Sequence, residues 1–516
     1  MDPAAELRRA DALHGERKYH EAIEAYRLAL NGNASLFEAW YGLGCAHLSL
    51  HAHADAAEAL RSAIALRADA DAARCNLAEA LFSLGDVDGA IAAYQRAADI
   101  GGAEVRAAAL AGIACIAAGA PSQDNAQVMA ARQRWMALQA RGVQPSTPAP
   151  AEAGRKLRVG YLSAFFGDQN WMKGYMGVIN AHDRARFEIH LLADGAIPSA
   201  AAGYADHDDD RIWELGGISN AELAHHIVNA KLDVLVDLNG YSYQRRLPLF
   251  LYRPARLQVC WVGMFGTTGM REVDCLVGDA VVIPPEEEQY YTEPVARVPG
   301  TYLAFQPFYP VPDIVPPPSL AARQITFGCL SSAYKLTNPT IAAYAAILRD
   351  APSSRLLLRN RTLDDAGNRA VLLARFAGHG IGADRLTLEG SGAHFEFLRT
   401  YDRIDVALDT FPYNGGTTTF EALWQGVPML TCNGDRWAAR TSRSLLLAAG
   451  LGEWVAEDIA GFQKAGAALA NAPETPGRLA ELRGTLRDRL RASAVCDVTG
   501  LCRSLEALMI ARSTNS

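Results

Sequence analysis

Two segments of this chain run a strand pattern straight into groups suited to holding a phosphate. In DTFPYNGGTTTFEALWQG (Asp409 to Gly426), the apolar run Ile404 to Leu408 reads as a buried parallel strand that ends at Asp409. A turn of Pro412, Asn414, Gly415 and Gly416 follows, then Thr417, Thr418 and Thr419, then a helical pattern from Phe420 to Trp424. A helix that starts there offers unpaired backbone N–H groups, hydroxyls and roughly half a positive charge to an anion. The lysine of a Walker loop is missing, which excludes a nucleoside-triphosphatase signature. The plainer reading is a threonine-capped turn. The second segment, QITFGCLSSAYKLTNPT, places Ser331, Ser332, Ala333, Tyr334 and Lys335 between a strand pattern and a helix that Asn338-Pro339 can start. A lysine is a point-charge partner for phosphate, although a lone lysine more often sits on a solvated surface. Two such junctions in one α/β domain would meet at the carboxyl edge of its sheet, where open α/β folds bind ligands.

The elements that must position these groups alternate. Leu157 to Ser163, Phe187 to Leu192 and Leu232 to Leu238 read as strands with helix-like segments between them, a parallel βαβ pattern. A second run of strands and helices begins near Ala321. GMFGTTG (Gly263 to Gly269) reads either as a loop bringing backbone N–H groups to a ligand or as a simple chain reversal. His207-Asp208-Asp209-Asp210 reads as a solvated charge run rather than a metal site.

Upstream, positions recur every 34 residues: Ala22, Ala56 and Ala90; Tyr26, Leu60 and Tyr94; Ala29, Ala63 and Ala97; Gly44, Ala78 and Gly112. This is the period of tetratricopeptide helix pairs, which bury a core only by stacking. Three repeats and a partial fourth are expected, closed by a helix over Asn125 to Gln139. The array either binds a protein on its concave face or acts as a spacer and dimer contact, which would give a homo-oligomer. The domains expected are a helical solenoid over 1–142, a Pro/Ala-rich linker over 143–154, a Rossmann-like lobe over 155–320, and a second over 321–516. The last long helix, from about Thr475, is expected to pack back across the lobes.

Taken together, LRVGYLSAFFG (Leu157 to Gly167), the stretch from Val236 to Gly269, the AYK loop and the Asp409–Gly426 segment, in that order, resemble the O-linked N-acetylglucosamine transferase and SPINDLY family. The resemblance implies a GT-B fold of two Rossmann-like lobes behind a tetratricopeptide solenoid. It implies an inverting, metal-independent transfer of a sugar from a nucleotide sugar to Ser or Thr of a protein, with no cofactor. It assigns Lys335, Thr417 and Thr418 to the diphosphate, with Ser332, Tyr334, Gly392, His394, Phe397, Gly415, Gly416 and Glu421 also lining the donor site. Gly266, Thr267 and Thr268 are then the sugar or acceptor loop.

Several positions depart from the family. Ser332 stands for a glutamine, His394 for a lysine and Phe397 for a histidine at the base end, and Glu421 for a ribose-binding aspartate. Gln169 and Gly416 replace two histidines, which leaves Asp168 and Asp274 as candidate bases beside the leaving phosphate itself. The asparagine that recurs at the sixth repeat position is matched only at Asn76, against Arg8, Gly42 and Leu110. These departures keep three alternatives in view: a flagellin-type transferase with another donor, a noncatalytic scaffold with a vestigial GT-B domain, and, less in keeping with the repeats, N-linked glucosylation.

The 516 residues include 50% hydrophobic ones and carry a formal charge of −8, which gives no support to a nucleic-acid partner. Nine scattered cysteines form no C-x-x-C pair, so a disulfide framework is not expected. The charged N-terminus and the lack of an 18-residue apolar run lead to the expectation of a cytoplasmic protein with no membrane partner.

Overall fold

In the computed structural model, which describes residues 2–148, 150, 152 and 154–513, the chain opens with four stacked helix pairs. They are α1 (Pro3–Gly15) with α2 (Tyr19–Gly32), α3 (Phe37–Ser49) with α4 (His53–Leu66), α5 (Asp71–Ser83) with α6 (Val87–Ile100), and α7 (Ala103–Ile116) with α8 (Asn125–Gln139). The sequence period is a packing period. Ala22, Ala56, Ala90, Ala29, Ala63 and Ala97 are all fully buried. A Cβ on Gly44 would lie 2.6 Å from Leu60, and one on Gly112 would lie 2.6 Å from Tyr94, so small residues seat large ones on the facing helix. Asp124 and Gln127 exchange capping hydrogen bonds that start α8.

Two parallel sheets follow. The first holds β1 (Leu157–Ser163), β2 (Phe187–Ala193), β3 (Arg211–Glu214), β4 (Val234–Asp237), β5 (Leu257–Cys260), β6 (Cys275–Gly278) and β7 (Val295–Arg297), in the order β3-β2-β1-β4-β5-β6-β7. The second holds β8 (Thr326–Cys329), β9 (Arg355–Arg359), β10 (Leu386–Glu389), β11 (Val406–Leu408), β12 (Met429–Cys432) and β13 (Val455–Ala456), in the order β10-β9-β8-β11-β12-β13. In each, the strand order reverses beside the first strand, at β1/β4 and at β8/β11. That reversal opens a crevice at the carboxyl ends. The AYK loop follows β8 and the Asp409–Gly416 turn follows β11, so the two phosphate-type segments flank one switch point.

Ser146 within the 143–154 stretch donates its N–H to Tyr252 O at 2.6 Å, while residues 149, 151 and 153 of that expected linker lie outside the described residues. The C-terminal region is two helices rather than one. Thr475–Arg491 stays on the second lobe, where Arg487 Nε donates to Trp424 O at 2.7 Å. After a break capped by Ser493, Val498–Ser513 crosses to the first lobe. There Glu506 meets His182 Nδ1 at 3.0 Å, and Arg256 donates to Ser513 O at 3.1 Å. Residues 498–513 therefore pack with the first lobe, not the second. No described helix is long and apolar enough to cross a membrane.

The repeat array docks on the second lobe through the same turn of successive repeats. His51, Gly85 and Gly119 are 34 residues apart. His51 O accepts from Asn368 Nδ2 at 2.9 Å. Gly85, at φ +85°, lies so close to the AYK loop that a Cβ would fall 2.6 Å from Leu336 O. A Cβ on Gly119 would meet the Tyr413 ring at 3.3 Å. Arg375 ties the middle contact together, donating to Leu84 O at 2.9 Å and to Leu336 O at 2.8 Å. A left-handed φ together with backbone contact demands glycine at position 85. Gly85→Ala is expected to cost about 1 kcal/mol or more and to loosen the Lys335 loop. Differential scanning fluorimetry of this variant should show a lower Tm.

Candidate active site

Where the lobes face each other, two cavities meet end to end. One, of about 400 Å³, is bordered by Asn170 and Lys173 of the first lobe and by Ser332, Gly392, His394, Phe397, Thr417, Thr418 and Glu421 of the second. The other, of about 250 Å³, is bordered by Asp168, Trp171, Gly263, Phe265, Tyr334, Lys335, Tyr413 and Gly416 among others. Ser332, Thr417 and Thr418 belong to both.

The junction is built from the β11 end. Asp409 is buried, and its Oδ1 accepts from Gly415 N at 2.8 Å and from Thr410 N at 2.9 Å, while Oδ2 accepts from Thr431 Oγ1 at 2.7 Å. Burial raises the pKa of this carboxyl. The folded-back turn makes Gly416 the N-cap of the helix Thr417–Trp424, with no side-chain cap. The first i→i−4 bond runs from Phe420 N to Gly416 O, so the amides of Thr417, Thr418 and Thr419 precede the helical ladder. Gly415 borders neither cavity. Its place is the tight turn, where a Cβ would fall 2.6 Å from Thr418 Oγ1.

Lys335 approaches the same point from the β8 end. Its ammonium donates to Asn414 O at 2.7 Å and lies 4.1 Å from the centroid of the Tyr413 ring. Among the described residues no carboxylate pairs with it. Burial lowers its pKa to about 8, against a smaller opposing pull from Asp409. A charge-bearing group held by a carbonyl and a ring face, beside unpaired helix amides, is a site prepared for an anion. Tyr334 turns toward the repeats, stacking on Phe82 with centroids 4.8 Å apart.

At the far end of the larger cavity, Phe397 presents its ring with the Arg359 guanidinium 5.5 Å from the ring centroid. Glu421 forms a buried ion pair with Lys173 across the lobes. Its Oε1 also accepts from Tyr309 OH at 3.3 Å and lies 3.3 Å from His394 Nε2. Burial lowers the pKa of His394. Nothing in the sequence marked Lys173: its partner is 248 residues away and its own segment is unremarkable. Tyr413 and Asn414 lay inside the quoted motif, but only the folded turn shows them cradling Lys335.

Other expected residues are placed elsewhere. Thr267 and Thr268 are buried and bound to Glu293, through Thr267 Oγ1 at 2.6 Å and Thr268 N at 2.6 Å. Arg132 of α8 grips the carbonyls of Met264 and Thr267 at 2.8 and 2.7 Å and fills the space beside Gly266. The GMFGTTG loop thus faces the cleft through Gly263 and Phe265, not through Gly266, Thr267 and Thr268. Asp274 borders neither cavity. Its carboxylate is held by Arg253 at 3.0 Å and by Gln258 N at 2.8 Å, which removes it as a base. Asp168 does border the Lys335 cavity, where its Oδ1 caps a short helix by accepting from Asn170 N at 2.8 Å. Away from the cleft, His182, Cys502 and Glu506 are a buried trio of metal-type ligands among the described residues. Glu506 already pairs with His182 and Arg503, so the trio serves as a hydrogen-bonded knot holding the last helix.

Breaking the Lys173–Glu421 pair from one side would leave a buried charge without its partner. Lys173→Ala is expected to cost roughly 3 kcal/mol or more. The double substitution Lys173→Met with Glu421→Gln should recover most of that loss, read as Tm in a thermal-melt comparison of the single and double variants.

Comparison with known proteins places these features. A tetratricopeptide-repeat model matches residues 72–100. The chain is 30% identical over 364 residues to a rice protein described as a probable UDP-N-acetylglucosamine–peptide N-acetylglucosaminyltransferase SPINDLY. It is 29% identical over 359 residues to the Arabidopsis thaliana protein of the same description. These alignments cover 69% and 68% of this chain but only 39% of each plant protein, so the chain spans about two fifths of their length. A solved structure of a Thermobaculum terrenum O-GlcNAc transferase mutant superposes with a TM-score of 0.84 at 29% identity, covering 100% of this chain and 98% of that one. The model for glycosyl transferase family 41 matches residues 141–306 and 318–505, and the chain belongs to that family.

Proposed function

We propose that this chain moves a sugar from a nucleotide sugar to a serine or threonine hydroxyl of a protein, with inversion at the anomeric carbon and no bound metal. The observation that carries the reading is Lys335, an ammonium without a carboxylate partner among the described residues, set beside the open amino end of the helix Thr417–Trp424 where the two cavities join. A nucleoside diphosphate in the larger cavity would direct its phosphates at these donors, its ribose at Glu421 and its base at Phe397. The sugar would then occupy the smaller cavity. The acceptor oxygen forms its bond to the anomeric carbon as the bond to the diphosphate breaks, and the electron pair leaves with the phosphate. The hydroxyl proton goes to Asp168, which borders that cavity, or to the leaving phosphate. Fixed cationic and amide donors aimed at the departing charge supply the stabilisation that the transition state needs beyond the ground state. UDP-N-acetylglucosamine, the donor in the descriptions of the plant relatives, is the first to test.

A thermal-shift panel with UDP, GDP, CMP and ADP, each with and without Mg²⁺, tests the donor site directly. One nucleotide should stabilise the protein equally well without the metal, by about 2.7 kcal/mol at a hundred times its Kd. No response to any of them would favour the scaffold reading instead. Lys335→Ala should lower transfer by about a hundredfold or more while leaving the Tm of the ligand-free protein within a few degrees of the parent.

The depressed pKa of Lys335 gives a pH signature with two opposite signs. The phosphate-binding form is the protonated one, so kcat/KM should fall as pH rises through about 8. For the ligand-free protein, a lysine whose folded pKa lies below its unfolded value contributes stability at high pH, and that contribution is lost as pH falls through about 8. Melting curves and initial rates across this range should therefore move in opposite directions, and Lys335→Met should flatten both trends.

A further inference from the structure

A third cavity, of about 370 Å³, lies between the repeats and the lobes. The repeats contribute Phe82 and Ile116 to its wall, and the lobes contribute Phe165, Tyr241 and Phe265. It opens on the Lys335 cavity, with which it shares Trp171, Gly263, Phe265, Tyr334 and Tyr413. Its lining is aromatic and aliphatic. Arg132, the one charged residue that borders it among the described residues, has its guanidinium bound to the carbonyls of Ala114, Met264 and Thr267 and set 3.9 Å from the Tyr241 ring centroid. The Tyr241 hydroxyl donates to Thr268 O at 2.7 Å, and the Cys115 thiol to Tyr241 O at 3.1 Å. The indole N–H of Trp171 is buried without a partner, in a side chain that borders both cavities.

The sixth-position register of the repeats offers little to hold a peptide backbone by side-chain amides. Asn76, the one asparagine in the sixth-position register, turns its Nδ2 to Cys45 Sγ at 3.2 Å and to Tyr41 OH at 3.4 Å, inside the array.

Resting on the transferase reading above, we propose that the acceptor is an extended segment with a bulky apolar side chain close in sequence to its serine or threonine. That side chain fills the chamber between the repeats and the lobes, and the Trp171 N–H donates to a carbonyl of the same segment. An apolar chamber that continues directly into the reaction cavity fixes the distance between the anchor and the hydroxyl. Selection then comes from the burial of one side chain rather than from a ladder of backbone contacts. A charged side chain at the same position would lose its hydration with no partner inside.

The test uses the full chain, saturated with whichever nucleoside diphosphate stabilises it most, and fluorescently labelled synthetic peptides. Each has a central serine or threonine in an alanine-glycine background, with single flanking positions set to Phe, Leu, Asp or Lys. At one flanking position Phe or Leu should bind about tenfold or more tighter than Asp or Lys, and added salt should not weaken the preference. Ser242 is exposed and borders the chamber, so Ser242→Trp should narrow its mouth without disturbing the core. This variant should reduce the preference to about threefold or less and leave the nucleotide-induced thermal shift intact. Binding that ignores the flanking residue, that favours charge, or that keeps its apolar preference in Ser242→Trp would overturn the chamber while the nucleotide shift persists. Absence of any nucleotide shift would instead overturn the transferase reading, and the acceptor chamber with it.

Discussion

The cleft depends on one buried carboxylate. Asp409 stands immediately after β11 and ties the amides of Thr410 and Gly415 together, which folds the intervening turn back on itself. That fold brings Asn414 O to the Lys335 ammonium, sets the Tyr413 ring beneath it, and starts the helix at Gly416 with its amides open. The first lobe uses the same device. Asp237 at the end of β4 is buried and accepts from Asn239 N at 3.0 Å and Gly240 N at 2.9 Å. Burial pushes its pKa up to about 7. In both lobes the strand next to the switch point ends in an aspartate that is desolvated in order to hold a turn.

Much of this was legible in the sequence, for physical reasons that differ by region. The repeats declared themselves because stacking makes each buried alanine recur at the helix-pair period, and Ala22, Ala56 and Ala90 are buried together. The Gly416–Thr418 side of the cleft was legible because strand, turn and helix are contiguous there, so these residues reach the cavity by local geometry alone. Lys335 comes from a separate strand, but the order of strands in a doubly wound sheet puts β8 beside β11.

What the sequence hid depends on contacts between distant segments. Lys173 meets Glu421 across the lobes, and no local pattern encodes that encounter. Gly266, Thr267 and Thr268 looked like ligand-facing groups because glycine and threonine suit such loops, yet the buried Glu293 and Arg132 claim the loop's polar groups from the other side. Asp274 was available by residue type but is held by Arg253 and by the backbone of Gln258. The C-terminal segment was expected to pack back across the lobes as one helix, and the break at Ser493 that divides it is not something an amphipathic pattern alone reveals.

The turns at His51, Gly85 and Gly119 dock at the repeat period, whereas the first pair, α1 and α2, packs mainly against α3 among the described residues. Arg17 occupies the equivalent turn position, with φ +60° against +59° at His51 and +85° at Gly85. The array is therefore anchored on the second lobe at the turns of its second, third and fourth helix pairs. Repeats inserted between Phe37 and Gln139 would throw the docking turns out of step with the second lobe, while repeats added before Pro3 would extend the superhelix with no change at the cleft.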